Sequence, residues 1–199
     1  MATEAEIKNI IELYVGYFNR VPDTAGLNFN IDLLDNNSLV DISNSFYNAA
    51  ISTAIPTGET KPFYELTGYG TATGASNNTD YIKQLYTGVL GREFSKGDVT
   101  QGEIDFWVSE LTGKHNNDKG ALAVAMIDTI RSYPNENNGF SEEIHASATA
   151  ARDQFQSKVT TASHYAYKNI FDNSSSNFSG TYQESIALLA VPLEVIFLF

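Results

Sequence analysis

Apolar residues in this chain recur with helical spacing rather than in alternation. Ile7, Ile10, Ile11, Tyr14 and Phe18 fall at i, i+3, i+4, i+7 and i+11, and Ile82, Leu85, Tyr86, Val89 and Leu90 follow the same rule. That spacing draws one apolar stripe along an α-helix. Ile31 and Leu34, and again Phe106, Val108 and Leu111, suit a second helix after each of these. A third is predicted over residues 39–50 and over residues 121–130. Thr3 with Glu6 reads as a capping box for the first helix, and Asp41, Ser43 and Asp118 are further candidate caps. No long alternating Val/Ile/Thr run predicts a strand. The pattern therefore predicts a mostly α chain: duplicated helical-hairpin modules packed with a long Ala-rich C-terminal helix.

The duplication is visible in the letters. Leu13-Tyr14-Val15-Gly16-Tyr17-Phe18-Asn19-Arg20 and Leu85-Tyr86-Thr87-Gly88-Val89-Leu90-Gly91-Arg92 share Leu, Tyr, Gly and Arg at identical offsets. Each copy then passes through a polar turn into its second apolar segment, and the turn of copy two is longer. A long period seen twice marks a duplicated module rather than a solenoid. Copy two carries Phe106-Trp107 in its second segment, whereas copy one has Phe29-Asn30. The recurring Arg20 and Arg92 are expected to tie a helix C-terminus to the following turn, through carbonyls or an Asp.

These landmarks divide the chain into copy one (1–51), a Gly/Pro/Thr-rich connector (52–79), copy two (80–132), and C-terminal helices (140–190). Pro56, Gly58, Pro62, Gly68, Gly70 and Gly74 punctuate the connector. The loop 133–139 precedes a helix predicted over residues 141–170, which the polar run 172–177 ends, and a short last helix is predicted over residues 181–189. Residues 191–199 read either as the continuation of a longer chain or as a tag: Leu193-Glu194-Val195-Ile196-Phe197 is similar to the start of a viral-protease cleavage tag, with Ile196 and Leu198 departing from it. The opening residues carry no basic-then-apolar leader.

The Leu-Tyr-x-Gly-x-x-x-Arg signature, a Pro/Asp/Gly turn, then an aromatic pair before a Leu resembles a bacterial helical repeat domain of unknown function. That repeat is distantly similar to phycobilisome linker domains and is found in surface-layer and RTX-type proteins exported by type I secretion. The resemblance covers residues 7–50 and 80–131, and copy one departs from it at Asn30, where the repeat usually has Trp. The Ala-rich helix and the one after it also resemble the N-terminal, lipopolysaccharide-anchoring region of Campylobacter-type surface-layer proteins. The resemblance implies a secreted, outer-cell-surface protein that binds lipopolysaccharide O-antigen or another surface glycan and self-assembles with copies of itself. The alternative it leaves open is a protein–protein assembly module without a glycan ligand. No cofactor is expected in this segment, and calcium is implied only for a downstream part of the parent protein.

Composition narrows the chemistry. Among 199 residues, 12 Lys+Arg face 24 Asp+Glu, a formal net charge of −12. That balance excludes nucleic acid and polybasic membrane contact. Zero Cys excludes disulfides, thiol nucleophiles and Cys-zinc sites. The apolar tail is too short and too interrupted to span a bilayer, so no transmembrane segment is predicted. His115, His145 and His164 have no metal-binding spacing, and no Gly-x-Ser-x-Gly elbow, phosphate loop or EF-hand loop occurs. The oxygen-rich turns 35–38, 95–98 and 116–118 match no calcium pattern. Neither a catalytic residue nor a metal ligand is predicted, and the chain is read as a non-enzyme. What remains is an unusual load of 11 Tyr and 18 Asn. A sugar is gripped by rings on its apolar face and amides on its hydroxyls, and several cations gather around copy two, where they could meet lipopolysaccharide phosphate as an anionic-glycan contact. Tyr64, Tyr69, Lys96, Lys114 and Asn116 are the candidate glycan contacts on that ground.

Overall fold

The computed structural model describes residues 2–70, 76–137, 139–171 and 182–189. The polar run 172–177, the stretch 71–75, Thr181 and the tail 191–199 lie outside the described residues. The chain is mostly helical, with no strand among the described residues. Copy one consists of α1 (Glu4–Phe18), α2 (Thr24–Leu33) and α3 (Leu39–Ala50). Among the described residues before α5, the connector carries one short helix, α4 (Phe63–Thr67). Copy two consists of α5 (Ser76–Leu85), which runs on as a π turn (Tyr86–Leu90), then a 3₁₀ turn (Phe94–Lys96), α6 (Gln101–Thr112) and α7 (Lys119–Arg131). Two more helices follow, α8 (Glu142–Phe171) and α9 (Tyr182–Leu189).

Local chemistry sets these boundaries. Thr3 and Glu6 form the expected capping box, and Ser141 Oγ accepts the Ile144 N–H to start α8. Asp118 caps α7 through the Ala121 N–H. Asp41 acts from inside α3: Ser38 is the N-cap and Asp41 answers it from the third helical position. Ser43 is not a cap. It is buried in the core, with its hydroxyl 3.1 Å from Tyr17 Oη. α2 starts inside the expected turn because Asp23 Oδ1 accepts the Gly26 N–H at 2.7 Å. Copy two opens at Ser76, ahead of the position read from the pattern.

Like packs against like. α1 lies against the π turn of copy two, and α3 along α7. Glycines set how close both pairs come. A Cβ on Gly88 would sit 1.9 Å from the Gly16 carbonyl oxygen, and one on Gly120 would sit 2.5 Å from the Val40 carbonyl oxygen. The departure from α geometry at residues 86–90 falls at this crossing, as π insertions do where a helix must accommodate a neighbour. Both first helices end in a left-handed residue, Asn19 (φ 47°) and Gly91 (φ 64°). The long α8 crosses both ends: Lys158 Nζ donates to Asn19 Oδ1 at 2.8 Å, and Gln154 covers Gly91.

A tyrosine cluster fills the centre. Tyr17 lies 3.3 Å from the Tyr81 hydroxyl, Tyr81 donates to the Lys119 carbonyl, and Tyr47 donates to Asn77 at 2.7 Å. Burial pushes Tyr14, Tyr17, Tyr86 and Tyr182 up to about 12 and holds Tyr69 and Tyr81 well above the ordinary tyrosine value. A tyrosine raised in the folded state holds protons that the unfolded chain releases, so stability falls as pH climbs through about 10. We expect these six to remain protonated at about pH 11 in a phenolate absorbance titration and to ionise only as the chain unfolds. Reversible titration of all tyrosines with folded circular dichroism retained would contradict this burial.

Candidate functional site

The five sequence-predicted glycan contacts do not converge. Lys96 and Lys114 lie beyond opposite ends of α6, a helix of 12 residues that rises about 18 Å. Each is paired on the surface, Lys96 with Glu93 at 2.7 Å and Lys114 with Glu110 at 3.8 Å. Asn116 is exposed in the turn after α6, in a left-handed conformation. Tyr64, on α4, is half-buried and donates its hydroxyl to Glu65. Tyr69 is a correction. It is 1% exposed, with its ring centroid 6.0 Å from that of Tyr17 and 5.9 Å from that of Tyr81. A ring enclosed in this way offers no face to a sugar.

The recurring arginines do what the repeat predicts. Arg20 Nη1 reaches the Val21 carbonyl, and both of its terminal nitrogens lie 3.3 Å from Asp23 Oδ2. Arg92 reaches the Asp98 carbonyl and Glu103 Oε1, the latter at 2.8 Å. Each guanidinium also covers the repeat tyrosine, 5.0 Å from the Tyr14 ring and 5.9 Å from the Tyr86 ring. The Asn30 departure now acquires a place. Counting from the N-caps Asp23 and Thr100, Asn30 is the counterpart of Trp107 and Phe29 the counterpart of Phe106. Asn30 Nδ2 donates to the Tyr14 hydroxyl at 3.3 Å, and the Trp107 indole interacts with the Tyr86 hydroxyl. Polar function is kept while the volume falls.

Beside Asn30 a cleft of about 260 Å³ opens between α1, α2, α3 and α4. Tyr14, Phe18, Phe46 and Phe63 wall it, and Phe29 stands at its rim, 63% exposed. Phe18 and Phe46 stack at 5.4 Å, and Tyr14 meets Phe46 edge-on at 4.8 Å, so the walls are rings packed on one another. Arg20 also lines the cleft. Its guanidinium is covered by Tyr14, Phe18 and Tyr182 and is salt-bridged to Asp23, with the side chain only 12% exposed. From below, α9 holds this arrangement, with Tyr182 donating to the Phe18 carbonyl and Val21 donating to the Ser185 carbonyl.

A second groove, about 300 Å³, runs between copy two and α8 and brings Glu103 and Glu143 to one surface. Glu103 makes a poor general acid. Against the cost of its burial, the Thr100 N–H and hydroxyl and the Arg92 guanidinium hold it below the usual carboxylate range. His145 is occupied in structure, its Nε2 3.1 Å from the Asn135 carbonyl oxygen and its Nδ1 3.4 Å from the Tyr133 hydroxyl. Among the described residues no three acidic or histidine side chains stand close enough to hold a metal ion, and no helix is long and apolar enough to cross a membrane.

Sequence reasoning missed the cleft because its parts look like core. Tyr14, Phe18 and Phe46 lie on helical apolar stripes, and the pattern does not say which stripe stops short of the next. The signal that could have found it was Asn30 itself, a small residue where the other copy has Trp. Compared with known proteins, the chain matches no family, no curated protein and no solved structure.

Proposed function

We propose that this chain is the anchoring unit of a surface-layer or RTX-type protein. It is a non-catalytic module of a secreted protein that holds lipopolysaccharide O-antigen on the outer cell surface and packs against copies of itself. The observation that supports this is the aromatic cleft of copy one, rimmed by exposed Phe29. Packed ring walls with a few polar atoms are how a sugar-sized site is built. Any calcium belongs to a downstream part of such a protein.

The test is binding to O-antigen-bearing cells against O-antigen-stripped cells. We expect about tenfold more protein retained on the former. Equal retention overturns the anchoring reading. A second reading, assembly without a glycan, is favoured by one observation. Phe29 and Phe106 stand 63% and 56% exposed at the same repeat offset, as a paired contact surface would. Sedimentation that shows concentration-dependent association, indifferent to added O-polysaccharide, decides for that reading.

A further inference from the structure

We propose that the copy-one cleft is a binding site for one uncharged sugar ring, distinguished from the groove beside Arg92 in copy two by Asn30, which lines it, whereas Trp107 does not line the other. This rests on the reading of the chain as a glycan-binding module and adds the ligand class and its residues. Three observations carry it.

The first is the comparison between copies. Both place a tyrosine under a guanidinium and give its hydroxyl a partner from the second helix. In copy two that partner is an indole, partly buried and packed against the core. In copy one it is the smaller Asn30, beside which the 260 Å³ cleft lies. The second is charge. Arg20, the cation of the cleft, is neutralised by Asp23 and covered by three rings, in a chain of net charge −12 that repels anions. Phosphate or uronate has no counter-ion here. The third is hydrogen-bond inventory. Asn30 Nδ2 donates to Tyr14 and to the Gly26 carbonyl, and Ser45 donates to the Ile42 carbonyl. Asn30 and Ser45 keep acceptor capacity, while Tyr14 keeps its hydroxyl proton and the buried Arg20 Nε–H has no partner in the chain; sugar hydroxyls, which both donate and accept, answer this mixed set. Phe29 supplies the ring on which the sugar's C–H face stacks.

The experiment is saturation-transfer NMR on the full chain with methyl glucoside, methyl galactoside and methyl mannoside, and with methyl glucuronide as the charged comparator. At least one neutral hexoside is expected to bind with a Kd on the order of millimolar, at least about tenfold more tightly than the glucuronide. Phe29→Ala and Asn30→Trp should each weaken it about tenfold or more, and Phe106→Ala should leave it unchanged. Phe29 is exposed, so F29A carries the test even if N30W fails to fold. The proposal is overturned if no neutral hexoside binds, if the glucuronide binds as well or better, or if F106A loses as much as F29A. It is overturned as well by loss of self-association in N30W with hexoside binding intact, which would make the cleft a socket for a second copy. The same proteins applied to O-antigen-bearing cells separate the two readings. If F29A and N30W still bind cells, the cleft assignment fails and anchoring stands; if the wild type binds hexosides but not cells, anchoring fails and the site stands.

Discussion

Gly88→Ala is expected to destabilise the fold by about 3 kcal/mol or more, a fall in Tm of roughly 10 °C for a chain of this size. The added Cβ would lie 1.9 Å from the carbonyl oxygen of Gly16 and 2.8 Å from its carbonyl carbon. Both atoms belong to the backbone of α1, so they cannot rotate away as a side chain could. Relief requires α1 and the π turn to separate, and that pulls Val89 and its neighbours out of contact with the shared core. The reciprocal substitution, Gly16→Ala, meets only side chains, Ile127 Cδ1 and Val89 Cγ2, each at 3.2 Å. Those can shift by a few tenths of an ångström, and Ala gains up to about 1 kcal/mol of helix propensity over Gly. G16A should therefore stay within about 1 kcal/mol of the parent. Urea melts followed by circular dichroism decide. Equal losses for the two variants, or a G88A midpoint close to the parent's, would show that the helices do not meet as described.

That asymmetry also shows what the sequence could and could not convey. The recurrence of Leu, Tyr, Gly and Arg revealed two equivalent helical units, and periodicity located their helices to within a few residues. This worked because both depend on neighbours along the chain. Which glycine presses its Cα against backbone and which faces side chains depends on the partner helix, and no local pattern carries that. Ser43 illustrates the same limit. As a short polar residue near the start of a helix it reads as a cap, yet α3 is capped by Ser38 and Ser43 sits one turn in, facing Tyr17 across the core. Tyr69 lies among glycines and reads as a loop residue with its ring available, but the turn at Gly68 (φ 75°) folds it inward onto Tyr17 and Tyr81. The candidate site fared worst. Its walls are stripe residues on three helices, and only the exchange of Trp for Asn between copies left a trace in the letters.

Arg131→Met is the second large effect, and its size changes with pH in a way that identifies its cause. Arg131 Nη1 donates to Glu12 Oε2 at 2.8 Å and to Asn9 Oδ1 at 2.9 Å, and the guanidinium also pairs with Asp128. Glu12 is 3% exposed, while the Arg131 side chain is 37% exposed. Burial raises the Glu12 carboxyl above its ordinary value, and the attraction of Arg131 only partly offsets that. A carboxyl raised in the folded state binds a proton the unfolded chain has already released. Its contribution is therefore favourable below the unfolded value, near 4, and declines as pH rises through the folded value. Removing Arg131 raises that folded value further and leaves a charge buried without its counter-ion. The usual penalty for this, about 3–5 kcal/mol, shrinks to roughly 2–3 kcal/mol here because water already screens the half-exposed guanidinium. We expect R131M to lose that much at pH 7 and to approach the parent near pH 4. Adding Glu12→Gln to the R131M background should remove the pH dependence, since the amide has no proton to exchange. Urea unfolding at several pH values measures all three chains. A loss in R131M that stays constant from pH 4 to 7 would mean that Arg131 contributes through packing rather than through the Glu12 charge, and a pH-dependent loss that survives in the E12Q/R131M double variant would assign the effect to a carboxylate other than Glu12.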